Sequence, residues 1–322
     1  MSLIIVSIFT IIVTSLAIWI SGDKFVQSAQ KIGNALRISK SVRGATLDAV
    51  ASSFPELTVS TIGLVLFHNF DVGIGTIVGS GLFNIIVIPA VSAFVAPIAF
   101  KVSKEVVYRD GLFYALTIIV FLASLFYLNE WGYLVGLGFI AFYLLYLFEI
   151  QRQTREFRKK HKLQRKTKTK IDKDILILLV SIIVITVAGY YLVKYVIILS
   201  KIMNVSSLVL SFIIIAVATS LSDTAVSVAD ARRGDVSGAT SNAIGSNIFD
   251  ILICLGLPIL IAGLMGIKVV IENTYKSFVF GLLALSVVTI YLLAERMELT
   301  KPRAVILFLS YVGYIVYVVF FM

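Results

Sequence analysis

The chain has 322 residues, of which 59% are hydrophobic and 14% are charged, and its formal net charge is +10. Soluble domains carry about 25% charged residues, and a soluble chain of this size could not hide so much apolar surface from water. This composition excludes a soluble enzyme, a secreted disulfide scaffold, a disordered protein and a nucleic-acid-binding protein. The one cysteine, Cys254, lies inside an apolar run, which excludes an intramolecular disulfide and a cysteine-based metal cluster.

Ten apolar segments are long enough to cross a bilayer as helices. A crossing takes about 20 residues, and the first segment is too long, and lacks the basic start, for a signal peptide. We therefore predict an all-α membrane protein with ten transmembrane helices. These spans, numbered 1 to 10, cover roughly 2–20, 42–67, 74–99, 111–128, 131–150, 174–199, 207–230, 238–265, 276–294 and 303–321.

The basic residues indicate how these spans are oriented. Most of the 28 lysine and arginine residues lie in the loops that follow spans 1, 3, 5, 7 and 9. Four fall on the other side, namely Lys194, Lys201, Lys268 and Lys276. Because cytoplasmic loops are enriched in Lys and Arg, we expect those five loops in the cytoplasm and both termini outside. The densest basic segment, 151–173, is interpreted as a short orienting loop that can attract anionic lipid headgroups.

An internal repeat relates the two halves of the chain. Ala49–Glu56 aligns with Ala216–Asp223, and Ile77–Asn84 aligns with Ala243–Asp250. Five spans separate the copies, and because this number is odd, the copies cross the membrane in opposite directions. Inverted repeats are typical of secondary transporters, which bind their substrate near the midplane where the repeats meet.

Four acidic residues lie deep within the apolar runs, with no lysine or arginine deep in the same spans: Asp48, Glu56, Asp223 and Asp250. A carboxylate in a low dielectric either takes up a proton or binds a cation. Ionisable residues inside a span are expensive, and they point to function. The pattern therefore predicts that the ligands are cations.

Hydroxyl side chains precede the acid of each repeat by about one helical turn. Ser52 and Ser53 do so in the first copy, and Thr219 and Ser220 in the second. Such hydroxyls often bond only to their own helix backbone. Their duplication beside a buried acid favours a role as cation ligands.

Pro55 removes a backbone donor and predicts a break in span 2. Carbonyls near Ala49 and Ser52 would then be free to point at an ion. Ser222 replaces the proline in span 7, so a break there is expected from the symmetry of the repeat alone. Oxygen ligands without nitrogen or sulfur suit hard cations such as Ca²⁺, which takes about 6–8 oxygens. Spans 3 and 8 can supply more of them, from Ser80, Asn84, Ser246 and Asp250.

Asp48 has no acidic counterpart, because Ile215 occupies the equivalent position. It lies eight residues before Glu56, nearer the cytoplasmic end of span 2. We expect it to pair with Arg43 or another basic residue at the membrane edge. A role in proton or ion access is the alternative.

These residues resemble the cation/Ca²⁺ exchanger superfamily, whose members carry two inverted repeats in ten spans, and within it the K⁺-dependent Na⁺/Ca²⁺ exchangers. The first copy reads S-S-F-P-E-L-T-V-S and then D-V-G-I-G-T-I-V-G-S-G-L-F-N. The second reads A-T-S-L-S-D-T-A-V-S and then G-S-N-I-F-D-I-L-I-C-L-G-L-P. The departures are Ser222 for the usual proline, Gly81 for the usual Asn or Ala, and the additional Asp48.

The resemblance implies roles for the matching positions. Glu56 and Asp223 would form the central pair that binds Ca²⁺ and also Na⁺. Flanking Na⁺ sites would be completed by Ser52, Ser53, Thr219 and Ser220 with the carbonyls of Ala49 and Ala216. The middle of the site would be lined by Ser80, Asn84, Ser246 and Asp250. An Asp at position 250 accompanies K⁺ dependence in that branch, which leaves K⁺ co-transport open.

The sequence thus predicts a secondary active antiporter that exchanges Ca²⁺ for Na⁺ by alternating access. Spans 1 and 6 would move against the repeats, as the resemblance implies. A Ca²⁺/H⁺ antiporter using the same carboxylates is the nearest alternative, because protonation also neutralises them. An intramembrane aspartyl protease is disfavoured because its usual G-x-G-D motif is absent from the sequence. A passive channel would conduct ions without a counter-ion, and inverted repeats with broken helices favour a transporter over a channel. We expect no cofactor, no enzyme activity and no obligate protein partner.

The predicted organisation is a first five-helix repeat over 1–150, a basic cytoplasmic loop over 151–173 and a second five-helix repeat over 174–322. The short loops leave no room for a large inserted regulatory domain. We expect a multi-pass protein of the plasma membrane of a microbe.

Overall fold

The computed structural model describes residues 2–35, 43–97, 100–102, 106–160 and 172–321. Within these ranges nine helices are long and apolar enough to cross a membrane, and a bent pair of helices makes a tenth crossing. The predicted ten-span, all-α membrane architecture is confirmed.

The bounds of the helices follow the predicted spans closely. The first half contains span 1 (Ser2–Ala35), span 2 (Ala49–Ser52 and Phe54–Thr61), span 3 (Phe70–Leu82 and Ile88–Val95), span 4 (Gly111–Tyr127) and span 5 (Tyr133–Lys160). The second half contains span 6 (Asp172–Met203), span 7 (Ser207–Leu210 and Ala216–Arg232), span 8 (Val236–Phe249 and Gly256–Leu264), span 9 (Asn273–Arg296) and span 10 (Lys301–Phe321).

Spans 1 and 5 extend furthest beyond their predicted ends. Span 1 continues to Ala35 and span 5 continues to Lys160, so the predicted loops after both spans begin as helix. Apolar length reports where the membrane ends, whereas Lys, Gln and Ala are good helix formers and continue the helix beyond it. The remaining parts of the predicted basic loops fall on 36–42, 103–105 and 161–171, which lie outside the described residues.

Turns of π-helix interrupt several spans, and four of them occupy equivalent places in the two repeats. Gly44–Asp48 and Ser211–Ile215 directly precede the helices that begin at Ala49 in span 2 and at Ala216 in span 7. Phe83–Val87 and Asp250–Leu255 continue spans 3 and 8 in the same way. Two further π-turns, at Ile62–Leu66 and Val106–Asp110, lie outside this pairing. The backbone therefore repeats as the sequence does, with a local geometry that is frequent at functional sites.

The predicted break in span 2 is confirmed. The helix is interrupted at Ser53, whose φ and ψ are −88° and 8°, and Pro55 stands in the first turn of the helix that follows. The two pieces of the span meet at an angle of 46°. The missing N–H of the proline leaves the preceding turn without its usual donor, and this releases the backbone from α-helical geometry.

Span 7 is interrupted differently. Its π-turn at Ser211–Ile215 is followed by one unbroken helix over Ala216–Arg232. The break beside Asp223 that symmetry led us to expect is absent from this stretch, because Ser222 keeps the backbone N–H that Pro55 lacks.

Four two-residue strands pair the loops in agreement with ten alternating crossings. Strand β1 (Phe100–Lys101), after span 3, pairs antiparallel with β4 (Glu298–Leu299), after span 9. Strand β2 (Glu130–Trp131), after span 4, pairs with β3 (Val269–Val270), after span 8. Two loops that pair must lie on the same side of the membrane. With ten alternating crossings, the loops after spans 3 and 9 lie on one side and the loops after spans 4 and 8 on the other, as these pairs require.

The spans that carry the repeated motifs lie in the centre of the bundle. Spans 3, 7 and 8 are mostly buried by protein, whereas spans 1, 5, 6 and 10 expose most of their length. Spans 1 and 6 pack along each other at the periphery. Span 3 approaches span 7 through glycines, because a Cβ at Gly79 would come within 2.6 Å of the Phe212 carbonyl oxygen. Small residues permit this close contact between membrane helices, and they bring the two repeats together.

Candidate ion-binding site

All the residues predicted to form the site are completely buried where spans 2, 3, 7 and 8 meet. Each of the following has an exposed fraction of 0%: Ala49, Ser52, Ser53, Glu56, Ser80, Asn84, Ala216, Thr219, Ser220, Asp223, Ser246 and Asp250. The local folding that brings them together is the break at Ser53 and the glycine contact between spans 3 and 7.

Ser80 of span 3 lies between two of the acids. Its Oγ is 3.4 Å from Glu56 Oε1 and 3.2 Å from Asp250 Oδ2. The Ser220 hydroxyl of span 7 donates to Ser80 Oγ at 2.9 Å. A hydroxyl has one proton to donate, so Ser80 can satisfy one of the two carboxylates at a time.

Asp223 of span 7 is held by donors from the other helices. Ser246 Oγ donates to its Oδ1 at 2.7 Å, and Asn84 Nδ2 donates to its Oδ2 at 3.4 Å. The Ser246 hydroxyl is also 3.3 Å from Ser52 Oγ of span 2. Asn84 Nδ2 lies 3.4 Å from Ser80 Oγ as well, which links the surroundings of all three acids.

Several oxygens of this cluster have no hydrogen-bond partner although they are buried. They are Glu56 Oε2, Asn84 Oδ1 and Ser53 Oγ. Leaving a buried polar atom unsatisfied costs about 1–3 kcal/mol, and more for a charged group. Oxygens left in this state beside three carboxylates indicate a place built for a cation.

The electrostatics of the cluster agree with that reading. In the described part of the chain, no lysine or arginine forms an ion pair with Glu56, Asp223 or Asp250. The three carboxylates are close enough to repel one another. They do not converge on a single point, since no three acidic, histidine or cysteine side chains among the described residues could together hold one ion. An ion here must complete its ligands with hydroxyl, amide or carbonyl oxygens.

Four of the predicted ligands form hydrogen bonds within their own helices, namely Ser52, Thr219 and the carbonyls of Ala49 and Ala216. Thr219 Oγ1 bonds to the carbonyls of Ile215 and Ala216 at 3.0 and 3.2 Å. The Ala49 carbonyl, which we expected to be freed by the break, accepts from Ser53 N at 3.0 Å and from Ser52 Oγ at 3.3 Å. The turn of helix that precedes Ser53 is retained, so this carbonyl keeps its backbone donor.

The sequence profile described as sodium/calcium exchanger protein matches residues 6–150 and 173–320. The chain belongs to the sodium/calcium exchanger protein family. The two matched segments correspond to the two halves that carry the repeats, and the resemblance to the cation/Ca²⁺ exchanger superfamily is thereby confirmed.

Relatives of this exchanger-family chain come from bacteria, archaea and animals. Inner membrane protein YrbG of Escherichia coli (strain K12) is 30% identical over 259 residues, which cover 78% of each chain. Sodium/calcium exchanger MaX1 of Methanosarcina acetivorans is 27% identical over 347 residues, covering 96% of this chain and 97% of the relative. Sodium/potassium/calcium exchanger 4 of Mus musculus is 42% identical over 125 residues, covering 39% of this chain and 20% of the relative.

Two solved structures share the fold. A structure of the sodium-calcium exchanger NCX_Mj superposes with a TM-score of 0.67 at 24% identity, covering 97% of this chain and 98% of the other. The H⁺/Ca²⁺ exchanger CAX superposes with a TM-score of 0.76 at 13% identity, covering 96% and 82%. Both alignments span nearly all of this chain, so the whole ten-span fold is shared.

Asp48 pairs as the sequence predicted. Arg43 Nε lies 2.8 Å from Asp48 Oδ2, and both side chains are buried. Gln30 of span 1 donates to the same carboxylate oxygen at 3.3 Å.

Sequence reasoning missed two polar groups. Cys254 Sγ lies 3.6 Å from Asp250 Oδ1, one helical turn away, a spacing from which this neighbour could have been found. Asp110, at the start of span 4, has an exposed fraction of 0% and binds Arg109, Ser241 and Tyr146. Its position beside basic residues suggested a loop, and the sequence alone does not reveal the partners from spans 5 and 8.

Proposed function

We propose that this chain is an antiporter that exchanges Ca²⁺ for Na⁺ across the membrane by alternating access. The observation that carries the proposal is the buried cluster of Glu56, Asp223 and Asp250. Its carboxylates have hydroxyl and amide neighbours, and in the described residues they form no ion pair with a basic side chain.

The donor set supports a hard divalent cation. Carboxylate, hydroxyl and amide oxygens are the ligands that Ca²⁺ prefers, at about 2.3–2.6 Å. Glu56 and Asp223 are proposed as the central ligands, with Ser80, Asn84, Ser246 and Asp250 lining the middle. Ser52, Ser53, Thr219 and Ser220, with the carbonyls of Ala49 and Ala216, are proposed for the flanking Na⁺ sites.

Charge explains why such a site exchanges ions instead of leaking them. One Ca²⁺ or several Na⁺ ions can neutralise the carboxylates, whereas the empty site would carry buried negative charge through the barrier at high cost. The protein therefore changes access with an ion bound, and each half-cycle carries one kind of ion. Membership of the exchanger family supports this cycle, with spans 1 and 6 proposed to move against the central spans.

A Ca²⁺/H⁺ antiporter is the second candidate. The observation that favours it is Glu56 Oε2, a buried carboxylate oxygen without a hydrogen-bond partner that a proton could occupy. The fold does not select the counter-ion, because sodium-calcium and H⁺/Ca²⁺ exchangers share it. K⁺ co-transport through Asp250 is a further proposal, supported by the partial similarity to a sodium/potassium/calcium exchanger.

The location proposed is the plasma membrane of a microbe, as a multi-pass protein. The N- and C-termini would lie outside, and the basic segment 151–173 would lie in the cytoplasm between the two five-helix repeats, 1–150 and 174–322. The inner-membrane relative from E. coli supports this location.

The test is uptake of radioactive Ca²⁺ into proteoliposomes loaded with Na⁺, at equal pH on both sides, with and without K⁺. We expect uptake that requires the outward Na⁺ gradient. Uptake that responds to a pH gradient and not to Na⁺ would contradict Na⁺ coupling and establish the second candidate. A dependence on K⁺ would establish co-transport.

A further inference from the structure

Buried polar residues continue from the carboxylate cluster toward one end of span 7. Asp223, Ser227 and Asp230 are spaced by four and three residues, which places them on one face of the helix. Their exposed fractions are 0%, 0% and 5%. Burying such groups is unfavourable unless they have partners, so a whole helix face of them calls for an explanation.

The neighbouring helices add polar residues to the same line. Ser246 and Asn242 lie four residues apart on span 8, and Asn242 Nδ2 donates to Ser227 Oγ at 3.2 Å. On the span 2 side, Ser52 and Asp48 are also four residues apart. Ser246 bonds to Asp223 and lies close to Ser52, so the polar residues of spans 2, 7 and 8 meet at the carboxylate cluster. Together they form one polar line.

The line leads to the side of the membrane that carries the basic loops. Asp230 is followed by Arg232, the last residue of span 7, and by Arg233, and Asp48 follows the loop after span 1. Two buried oxygens along this line have no hydrogen-bond donor, Asn242 Oδ1 and Asp48 Oδ1. Both are acceptors, which a cation would satisfy and an anion would not.

A basic side chain already stands at the end of the line. The guanidinium of Arg43 is 2.8 Å from Asp48 Oδ2 and has an exposed fraction of 7%. Asp230 has a different partner, because Arg233 Nη1 lies 3.8 Å from its Oδ1. The Arg43 guanidinium is a cation tethered to the chain at the place where a free cation would enter or leave.

We propose that this polar line is the route by which cations pass between the carboxylate cluster and the basic-loop side, and that Arg43 closes it by occupying a cation site at Asp48. The inference rests on the proposed function, because it assumes that the cluster carries the transported ions. Opening the route requires the guanidinium to leave, after which the Asp48 carboxylate can receive a metal cation.

The test measures access to the line and does not depend on transport. Ser227→Cys places a thiol on the route, and the wild-type chain, whose one cysteine is the buried Cys254, gives the background. A membrane-impermeant cationic methanethiosulfonate reagent is applied to the basic-loop side of reconstituted vesicles. We expect slow labelling of Ser227→Cys, at least tenfold faster labelling when Arg43→Gln is added, and slow labelling with Arg43→Lys.

Asp48→Asn is a second way to release Arg43, and it should also accelerate labelling. If Arg43→Gln does not give a monodisperse protein, the labelling rate of Ser227→Cys is compared with and without Asp48→Asn instead. Ser7→Cys, a buried position near the start of span 1 whose hydroxyl bonds to the Leu3 carbonyl, is the control and should stay slow in every background. An anionic reagent of similar size should label Ser227→Cys slowly throughout.

Equal labelling of Ser227→Cys with Gln and Lys at position 43 would overturn the proposal. So would acceleration that extends to Ser7→Cys or to the anionic reagent, because either would indicate general loosening. The two experiments test different claims. Absence of Ca²⁺ transport would refute the proposed function, whereas the labelling rates would still report whether Arg43 closes the polar line.

Discussion

Ser80 has a central place among the buried acids because its single hydroxyl lies within reach of two carboxylates. It can donate to Glu56 or to Asp250, and it accepts a hydrogen bond from the Ser220 hydroxyl. In the proposed ion site, this arrangement would let one small side chain donate a hydrogen bond to whichever acid has no ion bound. This is a property of the folded site, since the three residues come from spans 2, 3 and 8.

Replacing Ser80 by alanine is expected to weaken Ca²⁺ binding. Hydrogen bonds to charged groups contribute about 1.5–3 kcal/mol, so the apparent Ca²⁺ affinity should fall roughly 10- to 100-fold. Concentration-dependent Ca²⁺ uptake into proteoliposomes measures this. Ser7→Ala is the matched control, because Ser7 is buried in span 1 and bonds to the carbonyl of Leu3 in its own helix. Equal affinities for the two variants would contradict the role of Ser80.

At the scale of the helices, the site depends on the close approach of spans 3 and 7. A Cβ at Gly79 would lie 2.6 Å from both the Phe212 carbonyl oxygen and the Ala216 Cβ. These are atoms of a helix backbone and of its first side-chain carbon, so they cannot turn aside. Gly79 directly precedes Ser80, which couples the helix contact to the geometry of the site.

Gly79→Ala should therefore lower both stability and transport. Overpacking of this kind costs about 1–3 kcal/mol, and thermal unfolding followed by size-exclusion chromatography should show a lower midpoint. Gly313→Ala is the control, because a Cβ at Gly313 meets nothing within 4 Å. An unchanged midpoint for Gly79→Ala would show that the two spans can separate without penalty.

The elements that sequence could predict are those fixed by apolar length and by single residues. The ten crossings follow from hydrophobic runs, and the break in span 2 follows from the missing donor of Pro55. The continuity of span 7 at Ser222 could not be predicted by symmetry, because the two repeats differ at the residue that decides it. The helical extensions of spans 1 and 5 were not predicted either, since hydropathy does not report where a helix ends.

At the scale of the whole molecule, the two repeats form one site from both halves of the chain. The sequence predicted the identity of the buried acids and hydroxyls, and the structure places all of them in one buried region. It could not predict which hydroxyl lies between which acids, because those contacts join residues on different spans, and some of these residues, such as Ser80 and Asp250, are 170 positions apart. The buried partners of Asp110 were hidden for the same reason, since Ser241 lies on span 8.

The orientation of the whole chain gives a further prediction. Alkaline phosphatase fused after residue 322 should be active in bacterial cells, because the C-terminus is expected outside. The same enzyme inserted within 161–171 should be inactive, and a fluorescent protein should give the opposite pattern at both positions. Activity inside 161–171 would contradict the positive-inside assignment.

The central claim is that the buried carboxylates carry Ca²⁺ in exchange for another cation. The most direct test is Na⁺-driven Ca²⁺ uptake by Glu56→Gln and Asp223→Asn, which remove charge at nearly constant size. The control is Glu130→Gln, because Glu130 pairs with Lys268 at the exposed surface. We predict uptake at the level of empty liposomes for the two site variants, with folded, monodisperse protein, and uptake within twofold of the wild type for the control. Normal uptake and affinity in either site variant would contradict the account.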